Sequence, residues 1–167
     1  MSASSSSIII KPFFVYGTLL RNFRNYNIFL KPKEHAIRII PGSVKGYYLV
    51  HFNEGYPGMF LNSKNKNTTV AGEIIYPKDR ETYEHLQKKL DHLEGYDPND
   101  DPENNFYERK CVDCIDKNGN KIICDTYICK LNPDDGLLLD GDIISWKDFM
   151  IKSNLEGAGA DWAEKKE

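Results

Sequence analysis

The stretch Tyr107–Lys130, YERKCVDCIDKNGNKIICDTYICK, decides the fold class. Two runs rich in β-branched and aromatic residues flank Asn118-Gly119, the strongest short-range hairpin signal. A two-residue turn there sets Lys117 opposite Asn120 and pairs Asp113 with Cys124. All four cysteines, Cys111, Cys114, Cys124 and Cys129, fall in this stretch, a clustering that raises a zinc site or disulfides. The hairpin argues against both. No cysteine then faces another, and spacings of three and five within a strand send the side chains to opposite faces. Buried free thiols are expected, and no metal site.

Working outward, the chain is strand-rich. Ile8–Val15 is β-branched and aromatic and runs into the turn Tyr16-Gly17-Thr18-Leu19. Phe23–Lys31 reads as a short helix. His35–Ile40 and Ser43–Phe52 read as strands broken at Pro41-Gly42, with a second turn at Gly55-Tyr56-Pro57-Gly58. Met59–Leu61 and Val70–Tyr76 follow as strands on either side of the Asn/Lys-rich loop Asn62–Thr69. The clearest helix spans Arg80–Glu94, where Tyr83, Leu86, Leu90 and Leu93 make one apolar stripe, Asp79 stands at the N-cap and Gly95 at the stop. Residues after Lys130 are weakly patterned.

The imperfect alternation of the strands points to sheet faces buried on both sides. The expected architecture is α+β: a small mixed β-barrel or strongly curved sheet with flanking helices. A chain of 167 residues is the size of one domain. Residues 8–152 are read as that domain, 1–7 as a Ser-rich disordered tail and 153–167 as a weakly ordered tail.

A net charge of −3 provides no basic field, so neither nucleic acid nor an anionic membrane surface is an expected partner. The aliphatic run Ile8–Ile10 is too short for a signal sequence, and nothing later approaches a membrane span. A soluble, cytoplasmic protein acting on a small neutral or zwitterionic compound is expected. No motif speaks to oligomeric state.

Three features far apart in sequence have the character of site walls: the Tyr16-Gly17-Thr18-Leu19 turn, the Gly55-Tyr56-Pro57 turn, and Glu94. A glycine turn after a strand aims successive backbone N–H groups into a cavity, where they bind a carboxylate or a developing oxyanion. Glu94 is compatible with an ordinary solvated helix-end acid. Yet a carboxylate at a helix C-terminus opposes the helix dipole, a placement that raises proton affinity and invites a functional account. Tyr16, Tyr56, Tyr96, Tyr107 and Tyr127 are candidate pocket walls, and Arg109 a candidate partner for a substrate carboxylate or for a structural acid. His35, His51, His85 and His92 show no ligand spacing and read as surface or core residues.

Val15-Tyr16-Gly17-Thr18-Leu19, then the Tyr-Pro turn, then Leu90-Asp91-His92-Leu93-Glu94-Gly95-Tyr96, then Tyr107-Glu108-Arg109, in that order, resemble the gamma-glutamyl cyclotransferase-like family across roughly Pro12–Lys130. The resemblance implies a small mixed barrel with flanking helices. It also implies a glycine turn whose backbone amides hold a γ-glutamyl group, and a helix-end glutamate, here Glu94, as the acid/base. Tyr16, Gly17, Thr18, Leu19, Tyr56, Pro57, Tyr107 and Tyr127 are expected to bind substrate, the first four through the glycine turn that the resemblance implies and the others as candidate walls of its pocket. The implied reaction is closure of the γ-glutamyl group into 5-oxoproline with release of an amine. It needs no cofactor, because the substrate supplies its own nucleophile.

Two other readings compete. Asp97, Asn99, Asp101 and Glu108 occupy positions of a calcium loop, but Pro102 stands where that loop needs glycine, and Tyr107 onward reads as strand. A non-catalytic module holding a glutamyl-like ligand or a partner protein on the same fold is the second, since fold does not fix function.

Overall fold

The structure, a computed structural model, describes residues 10–139 and 141–155. In chain order its elements are β1 (Phe13–Val15), β2 (Ile37–Lys45), β3 (Tyr47–Phe52), β4 (Tyr56–Leu61), β5 (Thr69–Pro77), α1 (Arg80–Leu93), β6 (Tyr107–Asp116), β7 (Lys121–Cys129), β8 (Leu137–Leu138), β9 (Ile143–Ile144) and α2 (Trp146–Leu155). Five strands close a barrel in the order β1-β7-β6-β2-β5, with β5 returning to β1. The barrel is mixed, because β1 runs parallel to β7 while the other seams are antiparallel. A second sheet, β4-β3-β8, stands beside it. The α+β barrel read from the sequence is the architecture found.

Strand β7 explains the missing alternation: Cys124, Asp125, Thr126 and Tyr127 are all buried in succession. One face looks into the barrel, and α1 lies over the other. The Tyr83 ring of α1 stacks on Phe13 at 5.7 Å, and its hydroxyl donates to Asp125 Oδ2 at 3.2 Å. Tyr83, Leu86 and Leu90 form the buried stripe of α1, as their spacing requires. Both ends of this helix are built locally. Asp79 Oδ1 accepts from the Thr82 amide at 2.7 Å. At the C-terminus Gly95 takes φ +67°, its N–H reaching His92 O, while Tyr96 N–H reaches Asp91 O at 2.8 Å. That paired closure is a Schellman motif, and it makes Glu94 the residue at which the chain leaves the helix.

Several boundaries differ from the sequence reading, each for a local reason. The hairpin loop is three residues, not two: Asp116 N–H bonds Asn120 O, and Gly119 sits at φ +85° as the left-handed residue of a bulged turn. The register therefore shifts by one, and Val112, not Asp113, faces Cys124. Cys114 and Cys124 consequently share one buried face on neighbouring diagonals, and the Cys114 thiol pKa is raised by its hydrogen bond with Cys124 and by burial. Cys114, Cys124 and Cys129 are buried free thiols, whereas Cys111 is exposed beside Lys11 Nζ at 3.2 Å.

Strand β2 passes unbroken through Pro41-Gly42, because β6 reaches it only at Gly42–Val44 and Pro41 has β5 alone as a neighbour. The break falls instead at Gly46, φ +88°. Likewise the second turn closes at Gly55, φ +96°, and Tyr56, Pro57 and Gly58 already belong to β4. Of the predicted strand Ile8–Val15, residues 8 and 9 lie outside the described residues, and the described part is strand over Phe13–Val15. The predicted helix Phe23–Lys31 becomes a π-type turn at Tyr26–Leu30, followed by a 3-10 turn Lys31–Ala36 that contains Pro32 and displaces the expected strand start to Ile37. Helix α2, unread in the sequence, is capped by Ser145 Oγ, which accepts from Asp148 N at 3.1 Å, and buries Trp146 and Met150. Of the tails expected at 1–7 and 153–167, the first lies outside the described residues, and the second begins inside α2, which runs to Leu155, with its remainder outside them.

Candidate active site

Strand β1 delivers the chain into a bend in which the carbonyls of Gly17 and Thr18 are both taken. Gly17 O accepts from Leu20 N at 2.9 Å, and Thr18 O from Asn25 N and Tyr26 N at 3.1 and 3.2 Å. Thr18 Oγ1 is held by Asn25 Nδ2 at 2.7 Å. With the carbonyls pinned on one side, the N–H groups of Gly17, Thr18 and Leu19 donate to no acceptor among the described residues. Gly17 and Leu19 are buried and Thr18 partly so; buried amides without a partner are rare, and such amides in succession make an anion-binding concavity.

These residues line a cavity of about 1020 Å³. Its walls include Tyr16, Gly17, Thr18 and Leu19 from the bend, Tyr56 and Pro57 from the start of β4, Tyr107 and Tyr127 from the hairpin, and Glu94 from the end of α1. The structure thus brings together Glu94 and the eight residues expected to bind substrate. Pro57 and Gly17 touch: a Cβ at position 17 would lie 2.5 Å from Pro57 Cγ, so the absence of a side chain lets the bend and the start of β4 meet.

The tyrosines are fixed by donation into the protein. Tyr16 OH gives its proton to Tyr127 O at 2.6 Å, Tyr107 OH to Pro57 O at 3.0 Å, and Tyr127 OH to Asp91 Oδ1 at 2.6 Å. Burial first, and then the charge of Glu94 among other neighbours, push the Tyr16 and Tyr107 hydroxyls well above the ordinary phenol range. Tyr127 is raised by burial and by its bond to Asp91, with Glu94 adding to it, and Tyr56 by burial with smaller contributions from Glu54, Cys129 and Glu94. All four rings stay neutral near pH 7. Glu94 behaves differently. Its carboxyl is reached by solvent only in part, and burial alone raises its pKa from 4.5 to about 7. A proton can therefore enter and leave this carboxylate at neutral pH.

Arg109 resolves as a structural ion pair. It bonds Asp91 Oδ2, and its guanidinium lies over the Tyr96 ring at 5.3 Å. Tyr96 is therefore a support for Arg109 and not a wall of the cavity. Asp91, quoted in the sequence motif without a role, ties Tyr127 and Arg109 to α1 one turn before Glu94. His51 was read as surface or core, yet it lines the cavity. The signal that identifies it is its pairing opposite Pro57 across β3 and β4, which no local pattern announces. In the acidic loop, Asp97 Oδ1 and Asp100 Oδ1 accept from Asn99 N and Asp101 N at 2.9 and 2.8 Å, and the loop leads into strand β6. Among the described residues no cluster of three or more His, Cys, Asp or Glu is arranged to hold a metal, and no helix is long and apolar enough to cross a membrane.

Comparison with solved structures shows where this fold recurs. An AIG2-like protein from Mus musculus superposes with a TM-score of 0.59 at 22% identity, covering 81% of this chain and 87% of its own. YkqA from Bacillus subtilis gives 0.60 at 20% identity, covering 88% of this chain and 43% of its own. A uropathogenic E. coli protein, c4763, gives 0.50 at 13% identity over 92% and 100%. At these identities the likeness is one of fold. No curated protein matches the sequence significantly. The family described as "Gamma-glutamyl cyclotransferase, AIG2-like" matches residues 13–148, and this chain belongs to it.

Proposed function

We propose that the protein is a γ-glutamyl cyclotransferase that releases 5-oxoproline and a free amine or amino acid from a small γ-glutamyl compound. The observation that carries this reading is a partly buried carboxylate, Glu94, titrating near pH 7 in the same cavity as three unpaired backbone amides. The amides of Gly17, Thr18 and Leu19 hold the γ-glutamyl group folded back on itself. Folding the chain turns the attack of the α-amine on the γ-carbonyl into an intramolecular step, a gain of up to roughly 7–11 kcal/mol where alignment is good.

Atoms balance without water or a co-reactant. The α-nitrogen forms the lactam C–N bond, and the amide bond to the departing nitrogen breaks. Glu94, as carboxylate, takes one proton from the α-ammonium before attack and a second as that nitrogen becomes the lactam N–H, passing each in turn to the departing nitrogen, which leaves as an ammonium. The neutral Tyr16, Tyr56, Tyr107 and Tyr127 enclose the reactants and keep the Glu94 carboxyl poorly solvated, with Pro57 closing the floor at Gly17. Four free cysteines within one hairpin suit a reducing compartment, and we place the protein in the cytoplasm.

The test is incubation with γ-glutamyl amino acids, γ-glutamyl alkylamines, γ-glutamyl-ε-lysine and glutathione, following 5-oxoproline. Formation from at least one of them is expected. Failure with all four classes would leave the cavity without this chemistry.

A further inference from the structure

His51 is the cavity residue whose hydrogen bonding fixes its chemistry most completely. The indole N–H of Trp146 donates to His51 Nδ1 at 3.0 Å. Indole nitrogen is a donor only, so Nδ1 accepts and the ring proton resides on Nε2. The imidazole is held in place by α2, stacked on Trp146 at 6.3 Å and tilted against Phe149 at 5.0 Å between ring centroids. Burial lowers its pKa, which favours the neutral ring. Nε2–H donates to nothing among the described residues, and His51 lines the cavity. A locked donor without a protein acceptor, on the wall of a binding cavity, calls for an acceptor on the ligand.

Its position says which part of the ligand. His51 faces Pro57 across the β3–β4 ladder, so their side chains stand on one face of the sheet about 5 Å apart. Pro57 in turn rests against Gly17. The imidazole is thus one side chain removed from the bend whose amides are free.

We propose that His51 is a substrate-binding residue of this site, its Nε2–H donating to an oxygen of the γ-glutamyl portion, and that Trp146 is the positioning residue that fixes its tautomer. The proposal rests on the γ-glutamyl reading above. It gives helix α2, remote in sequence from every motif of the site, a direct part in recognition.

The experiment has two arms. In ¹⁵N spectra of the wild-type imidazoles, His51 is expected as the Nε2–H tautomer, with its Nε2 resonance shifting when a γ-glutamyl compound is added. An Nδ1–H tautomer, or an Nε2 signal indifferent to the compound, would overturn the proposal without any variant having to fold. In kinetics, His51→Phe is expected to raise KM roughly tenfold with kcat within about threefold, for a γ-glutamyl amino acid and a γ-glutamyl alkylamine alike. His51→Gln, which restores a donor near Nε2, is expected to recover part of that loss. Trp146→Phe is expected to raise KM by a smaller factor. An unchanged KM in His51→Phe, or a rise confined to the substrate with a carboxylate on its leaving amine, would contradict the assignment while leaving the cyclotransferase reading intact. Wild-type protein that forms no 5-oxoproline would remove that parent reading, and this one with it.

Discussion

The ring of Pro57 occupies the space that any side chain on residue 17 would need, with Pro57 Cγ and Cδ 2.5 and 2.7 Å from the position of a Cβ there. The glycine is therefore a contact requirement between the bend after β1 and the start of β4, forty residues on. Gly17→Ala is expected to lower kcat/KM at least tenfold, because the bend that aims the amides must shift by a fraction of an ångström or more. Pro57→Ala in the same chain is expected to restore part of the loss. A double-mutant cycle in kcat/KM measures the coupling, and strict additivity would show that the two residues do not act on one another.

Asp91 joins α1 to the hairpin through Tyr127 OH and Arg109. Asp91→Ala leaves a partly buried guanidinium and a buried phenol without their acceptor. A loss of about 3 kcal/mol in urea unfolding is expected, against about 1 kcal/mol for Tyr127→Phe, which removes one bond and strands no charge. Equal losses would mean that the ion pair contributes little.

The pKa of Glu94 sets two pH dependences. Carboxylate is the form that accepts the α-ammonium proton, so kcat/KM should fall about tenfold per pH unit below about 7 and level off above it. Stability runs the other way. A folded-state pKa raised from 4.5 to about 7 means that the native state holds the proton more tightly than the unfolded chain. The resulting stabilisation is complete below 4.5 and is lost as pH rises through 7. Glu94→Gln is therefore expected to unfold at higher urea than wild type at pH 8, by roughly 1–3 kcal/mol, with little difference at pH 4.5. A variant less stable than wild type at pH 8 would show that the carboxylate is solvated.

Much of this was legible where sequence signals are local. The stripe and caps of α1, the hairpin and the glycine bend follow from residues within a turn or two of one another, and they bring Glu94 to the cavity. What was missed depended on one residue of loop geometry or on distant packing. Asn118-Gly119 resembles a two-residue turn, but Asp116 Oδ1 accepts from Asn118 N and Asn120 N, both at 2.9 Å, which stabilises the three-residue loop and slips the register. In α2 the stripe Trp146, Phe149, Met150 is a single turn long, too short to stand out, although Ser145 followed by Asp148 is a capping signal. His51 joins the cavity only through strand pairing and a helix nearly a hundred residues later, which no window of sequence contains.

The most direct test of the central claim compares 5-oxoproline release and ligand binding in wild type and Glu94→Gln, using a γ-glutamyl compound that the wild type turns over. The account predicts a fall in kcat of at least about 10³-fold, with the affinity for the compound, measured calorimetrically, kept within a few-fold. Undiminished turnover by Glu94→Gln would contradict it.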